Sequence, residues 1–216
     1  MGALQSLRGQ PEYTDLAEKT GFSFVQIGVL HKRFKQLSSN GETLRKEQFN
    51  EISDLQCNPI RAQIIEAFFD KRNYRQGGEG KVEEIGFEEF LLVVSHFRPP
   101  SLRMTEEQRE KVRREKLRFL FNMHDTDNDG TITLEEYRHV VEELLSHCGA
   151  MGMETAKSIA DSAMLEVANI SKGQMGPDEF YEGITFEHFV KLLKGFEIES
   201  RMNLRFSKMD VTVLCK

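Results

Sequence analysis

The sequence predicts an all-α chain of four helix–loop–helix units paired into two lobes, with a short β ladder joining the loops of each pair. One pattern recurs four times, an aliphatic residue followed five positions later by an aromatic one: Leu44 and Phe49, Ile85 and Phe90, Ile132 and Tyr137, Ile184 and Phe189. Each recurrence has apolar residues at helical spacing before and after it. Between the second and third, Arg98-Pro99-Pro100-Ser101 breaks helix twice over and reads as a hinge. The repeats begin at 44, 85, 132 and 184, so their spacing lengthens along the chain and no strict solenoid period applies.

Taken in order, residues 1–19 form an N-terminal segment, and Ser23 with Gln26 supplies a capping box for a helix carrying Phe24, Ile27, Leu30, Phe34 and Leu37. Asn58-Pro59 places a cap before a first-turn proline and opens the helix of Ile60, Ile64, Ala67 and Phe68. Phe87, Phe90, Leu91, Val94 and Phe97 continue the pattern after the second loop. Thr105 with Gln108 caps the helix of Leu117, Leu120 and Phe121, whose dense charges over 106–118 read as a solvated face. Leu134, Tyr137, Val141, Leu144 and Leu145 follow the third loop, and Ile159, Ala163, Met164 and Val167 precede the fourth. Eight main helices result, in lobes at 20–97 and 105–196 separated by a hinge at 98–104. The tail, 197–216, spaces Ile198, Met202, Phe206, Met209 and Val213 by three or four. It packs as an amphipathic helix in the protein's own groove, or caps the C-terminal lobe.

Composition narrows the function. Across 216 residues, 29 Lys+Arg against 35 Asp+Glu leave a formal charge of -6, which offers no global attraction to nucleic acid. Cys57, Cys148 and Cys215 are too scattered for a disulfide framework or a zinc site, so a reducing, cytosolic setting is expected. No apolar run approaches the length that spans a bilayer, and no secretory leader opens the chain. No Ser/His/Asp set or phosphate-binding loop supports catalysis, and His147-Cys148 is a lone pair, so a non-enzymatic role is expected.

The third loop is where the chemistry lies. Residues 125–136 read Asp-Thr-Asp-Asn-Asp-Gly-Thr-Ile-Thr-Leu-Glu-Glu, the pattern of an EF-hand calcium loop. Asp125, Asp127 and Asp129 stand at positions one, three and five, and Gly130 permits the sharp turn at position six. Thr131 offers its backbone carbonyl at seven, Thr133 acts at nine directly or through a water, and Glu136 gives two oxygens at twelve. Such hard donors fit Ca2+; Mg2+ competes for the same oxygens but demands a tighter octahedron.

The other three loops lack this set. The first, from Ser38 to Leu44, is one residue short and has Gln48 where the bidentate Glu belongs. The second runs from Asp70 to Glu89 and puts Lys71, Arg72 and Arg75 where a cation would sit, so Coulomb repulsion opposes binding. The fourth carries an insertion from Gly173 to Gly183 and ends on His188. Their retained signatures predict packing: Leu44 opposite Ile85, and Ile132 opposite Ile184.

These residues resemble the calcineurin B homologous proteins over nearly the whole length. The match is carried by Thr20-Gly21-Phe22-Ser23, Arg33-Phe34-Lys35-Gln36-Leu37, Asn58-Pro59-Ile60-Arg61, Ala67-Phe68-Phe69-Asp70, His96-Phe97-Arg98-Pro99 and Lys116-Leu117-Arg118-Phe119-Leu120-Phe121. Ser158-Ile159-Ala160-Asp161, Tyr181-Glu182-Gly183-Ile184-Thr185-Phe186-Glu187 and residues 202–206 continue it. The disabled first, second and fourth loops resemble the member with a single working hand rather than relatives with two active C-terminal loops. The resemblance implies a monomeric calcium-binding adaptor that clasps the juxtamembrane cytoplasmic helix of plasma-membrane Na+/H+ exchangers and supports their maturation, surface stability and activity. It implies alternatively an inhibitor or surrogate regulatory subunit of calcineurin phosphatase. A cytoplasmic protein, peripheral at the inner face of the plasma membrane and also nuclear, is expected. Met1-Gly2-Ala3-Leu4-Gln5-Ser6 fits the N-myristoylation pattern, with Gly2 acylated after Met removal. One acyl chain binds membrane marginally, so the exchanger helix would supply the second contact. Eight of the nine methionines fall at or after Met104, and flexible thioethers suit an adaptable helix-binding groove.

Overall fold

A computed structural model describes residues 11–56, 58–74, 77–101, 103–146, 153–172, 181–198, 202, 205–206 and 209–210. Gly2, Arg75, the three cysteines, residues 173–180 of the insertion in the fourth loop and most of the tail lie outside these residues.

Within the expected N-terminal segment, and unforeseen by the sequence, lies helix α1 (Pro11–Thr20), which seats Tyr13 and Leu16 in the core ahead of the first hand. Helix α2 (Phe24–Leu37) starts at the expected capping box: Gln26 N–H donates to Ser23 Oγ, and Gln26 Oε1 accepts the Ser23 N–H at 2.7 Å. Its Ile27, Leu30, Phe34 and Leu37 are buried, as their spacing requires. After the first loop the chain differs from expectation. Lys46–Glu51 is a 3-10 helix, followed by the short α3 (Ser53–Gln56). The tighter coil advances about 2.0 Å per residue against about 1.5 Å, and Phe49 reaches the rings of Phe68 and Phe69. Helix α4 (Arg61–Phe68) begins two residues beyond Pro59, after a turn in which Asn58 Oδ1 accepts the Ile60 N–H. A 3-10 turn, Lys71–Asn73, and helix α5 (Phe87–Ser95) complete the second hand.

The third hand comprises α6 (Glu106–His124), opened by the Thr105/Gln108 capping box, strand β1 (Thr131–Ile132) and α7 (Leu134–Ser146). The fourth comprises α8 (Met153–Lys172), β2 (Ile184–Thr185) and α9 (Phe186–Leu192). Both expected ladders are present: Leu44 and Ile85 exchange backbone hydrogen bonds, and β1 pairs antiparallel with β2, Ile132 against Ile184.

One hydrophobic core runs through both lobes. Phe34, Phe90, Phe68 and Phe49 form a chain of ring contacts in the first lobe, and Phe97 meets Phe119 across the hinge. Phe121 then contacts Phe186 and Phe189 in the second. A smaller cluster of Val141, Ala156 and Ala160 joins α7 to α8, and Arg138 grips Asp161 with two bonds of 2.6 and 2.8 Å.

One expectation is refined and one corrected. The charged stretch of α6 is largely solvated, with Arg114, Glu115 and Arg118 among its exposed residues, but Lys116 interrupts it and some of its cations reach other elements. Lys116 is buried and donates to the His96 carbonyl at 2.6 Å, Arg113 donates to the Phe196 carbonyl, and Arg118 lies 3.3 Å from the Phe186 ring centroid. These cations dock the last hand and the first lobe onto α6. In the tail, β3 (Arg205–Phe206) pairs antiparallel with β4 (Met209–Asp210), so the backbone there is a hairpin and not a helix. Upstream of it, Ile198 and Met202 are buried in the main core.

Gly183 is needed at the end of the fourth loop. Its φ is +140°, and a Cβ there would stand 2.5 Å from the Ile132 carbonyl oxygen and 2.7 Å from Thr131 Cγ2. Gly183→Ala is expected to force the β1–β2 ladder apart, costing about 1–3 kcal/mol. Thermal unfolding should show a lower Tm and calcium titration a weaker site; an unchanged pair of values would refute the close approach.

Candidate metal centre

The third loop hangs between the end of α6 and the first turn of α7. Asp125 follows the last turn of α6, and its N–H donates to the Phe121 carbonyl at 2.9 Å. The chain then turns through Asn128 at φ 65° and Gly130 at φ 88°, left-handed conformations that Asn and Gly tolerate. Asp127 Oδ1 accepts the Asp129 N–H, and Asp129 Oδ1 accepts the Thr131 N–H at 2.7 Å. Pairing of Thr131 with Thr185 fixes the far side of the loop.

Carboxylate oxygens of Asp125, Asp127 and Glu136 lie within 4.8 Å of one another. Asp129 stands outside this trio and turns one oxygen to the backbone. Asp125 is buried, and its Oδ1 has no hydrogen-bond partner. Glu136 is clamped instead. Its Oε1 accepts from the N–H and hydroxyl of Thr126, and its Oε2 from the N–H and hydroxyl of Thr133, at 2.7 to 3.0 Å. The Thr133 hydroxyl, expected at a ligand position, is engaged here with Glu136. Both hydroxyls can rotate, leaving one backbone donor on each Glu136 oxygen and a lone pair on each for a cation.

The electrostatics agree. Burial pushes the Asp125 carboxyl up, the Arg72 guanidinium partly opposes this, and Glu136, Asp129 and Asp127 push it further. Burial also acts against Glu136, but hydrogen bonds from Thr133 and Thr126 outweigh it and hold that carboxyl below its ordinary value. A buried, partnerless oxygen beside two other carboxylates is a donor set that a hard divalent cation satisfies. The residues present therefore fit calcium.

The other loops show how their charge is handled. In the first, Lys35 Nζ donates to the Gly41 carbonyl at 3.1 Å and to the Glu42 carboxylate, so an ammonium group braces the turn. In the fourth, the Tyr181 hydroxyl lies 3.3 Å from His188 Nδ1. The second is unlike either, because Arg72 reaches out of its own loop to Asp125. The run Asp70-Lys71-Arg72 marks this loop as cationic in the sequence, but the contact joins residues 53 positions apart and has no local signal.

Comparison with known proteins places this geometry. A model of the EF hand domain matches residues 116–144, from the middle of α6 through most of α7. The chain is 55% identical over 215 residues to human calcineurin B homologous protein 3, covering 100% of both chains. It is 58% identical over 205 residues to the protein of that name from Xenopus tropicalis, covering 95% of this chain and 96% of that one. The calcineurin B subunit of Naegleria gruberi is 29% identical over 206 residues, 95% of this chain and 99% of that one.

Proposed function

The chain belongs to the calcineurin B homologous protein family, and on that premise we propose that it is a calcium-binding regulatory subunit for a membrane-proximal helix of Na+/H+ exchangers. The observation that carries the calcium part is the carboxylate trio of the third loop, whose buried member, Asp125, keeps one oxygen without a hydrogen-bond partner. Asp125, Asp127 and Glu136 would hold the ion, with Asp129 and the Thr131 carbonyl joining by their loop positions. Bound Ca2+ supplies neutralisation of the clustered carboxylates. Asp125 follows α6 and Glu136 lies in the first turn of α7, so an ion held by both would fix the angle of the two helices. The ladder passes that constraint to α9 through Ile184 and Thr185.

The partner reading is supported by full-length similarity and by surface composition. Helix α8 leaves Leu165 60% and Ile170 64% exposed, large apolar side chains of the kind that receive an amphipathic helix. Gly2 in its myristoylation pattern would place the protein at the inner face of the plasma membrane, with the exchanger helix as the second attachment. Among the described residues no helix is long and apolar enough to cross a membrane.

A second reading is favoured by the Naegleria gruberi relative, which is named for the B subunit of calcineurin. In that reading the chain occupies the regulatory-subunit site of the phosphatase and inhibits or substitutes. Capture assays with an exchanger juxtamembrane peptide and with a phosphatase catalytic subunit separate the two. Calcium-supported capture of the peptide is expected. Capture of the phosphatase alone would replace the first reading with the second.

A further inference from the structure

Arg72 belongs to a loop that lacks the carboxylate set of the third, yet all of its donor nitrogens are engaged, and Nη1 and Nη2 both reach the third hand. Within its own loop, Nε donates to both oxygens of Asp70, at 3.1 and 2.9 Å, and Nη2 donates to Asp70 Oδ2 at 2.7 Å. Toward the third hand, Nη1 donates to Asp125 Oδ2 and to Asn128 Oδ1, both at 2.9 Å. Nη2 also donates to the main-chain carbonyls of Asp125, at 2.8 Å, and Asn122, at 3.0 Å. The group is desolvated on all sides: the Arg72, Asp70 and Asp125 side chains are 13%, 7% and 3% exposed. A second polar bond lies beside it, Asn122 Nδ2 to Asn73 Oδ1 at 3.0 Å.

By loop position the arrangement is specific. Asp70 opens the second loop as Asp125 opens the third, and Arg72 stands two residues on, where the third loop has Asp127. A planar guanidinium thus joins the first aspartates of two neighbouring loops. Arg72 uses Asp125 Oδ2 and the Asp125 carbonyl, and it leaves Oδ1 without a hydrogen-bond partner. Its charge is shared between two carboxylates, Asp70 at 2.7 Å and Asp125 at 2.9 Å.

We infer that Arg72 is a positioning residue for the calcium site, supplied by the disabled second hand, and that it links calcium occupancy to the N-terminal lobe. This rests on the calcium reading of the third loop. Outer partners that orient a ligand typically change metal affinity by about 10- to 100-fold when removed. Because the partner here sits in the other lobe, the same bonds carry the effect of the ion to residues 70–74. The second loop, read alone, has lost its function; in the folded chain it serves its neighbour.

The test is Ca2+ titration by calorimetry, with amide hydrogen exchange measured in the presence and absence of Ca2+, on the full native chain, Arg72→Gln and Arg72→Lys. Lysine keeps the charge and much of the length but lacks the fork, so it guards against a variant that merely misfolds. In the native chain Ca2+ should protect amides of the third loop and also those of 70–74. In both variants affinity should fall about tenfold or more, protection near 130–132 should persist on saturation, and the calcium-dependent protection at 70–74 should vanish. Native affinity in Arg72→Gln, or equal protection at 70–74 in native and variant chains, would overturn the inference and leave the calcium reading standing. Recovery of native values by Arg72→Lys would overturn the role of the fork. Failure of the native chain to bind Ca2+ would remove the calcium reading itself, and this inference with it.

Discussion

Glu136→Gln is expected to weaken calcium binding by about a hundredfold or more, since it removes a charge and the bidentate ligand together. Glu136 would be the ligand that joins the loop to α7, and it is held in place by Thr126 and Thr133. The amide can still accept from one threonine N–H, but its NH2 group cannot accept from the other. The substitution therefore disturbs the clamp as well as the coordination. Fold should survive, because Glu136 lies outside the hydrophobic core and the ladder depends on Ile132 and Ile184. Circular dichroism should match the native chain while calorimetry shows little or no heat of binding. Native affinity in the variant would mean that Glu136 is not a ligand.

Phe90→Ala should cost about 3–5 kcal/mol of stability. The ring is fully buried where α2, α4 and α5 meet, with Phe34 and Phe68 at centroid separations of 5.5 and 5.7 Å. Truncation there opens a cavity that neighbouring rings, themselves wedged against Phe87 and Phe49, cannot close. For a chain of this size the loss corresponds to a fall in Tm of about 10 °C. Leu165→Ala, at an exposed position of α8, is the control, with an effect within about 0.5 kcal/mol. A Phe90 variant as stable as the Leu165 variant would contradict the shared core.

The four hands are legible in the sequence because their signature is local. An aliphatic residue in the ladder and an aromatic five positions on are both fixed by one loop-to-helix junction, as Ile132 and Tyr137 show. The calcium loop is legible for the same reason, since its donors come from one continuous segment. The tail is not. Residues 206 and 209 are three apart on a helix face, but they are also the inner pair of an antiparallel hairpin, and the structure has them paired. Spacing alone cannot separate those cases. The charged stretch of α6 is only partly legible because a run of Lys and Arg says nothing about which carbonyls and rings will fold over it. Lys116 finds the carbonyl of His96 and Arg118 the ring of Phe186 only in the tertiary structure. Arg72 is the extreme case. In the sequence its charge reads as a block on its own loop, whereas its bonds serve the loop of the other lobe.

One carboxylate-lined loop among four requires one calcium ion per chain, and stoichiometry decides whether that holds. Calorimetric titration of the native chain with Ca2+, repeated in a background of Mg2+, should give one site per chain, with Mg2+ lowering its apparent affinity without adding another. Two sites, or none, would contradict the assignment.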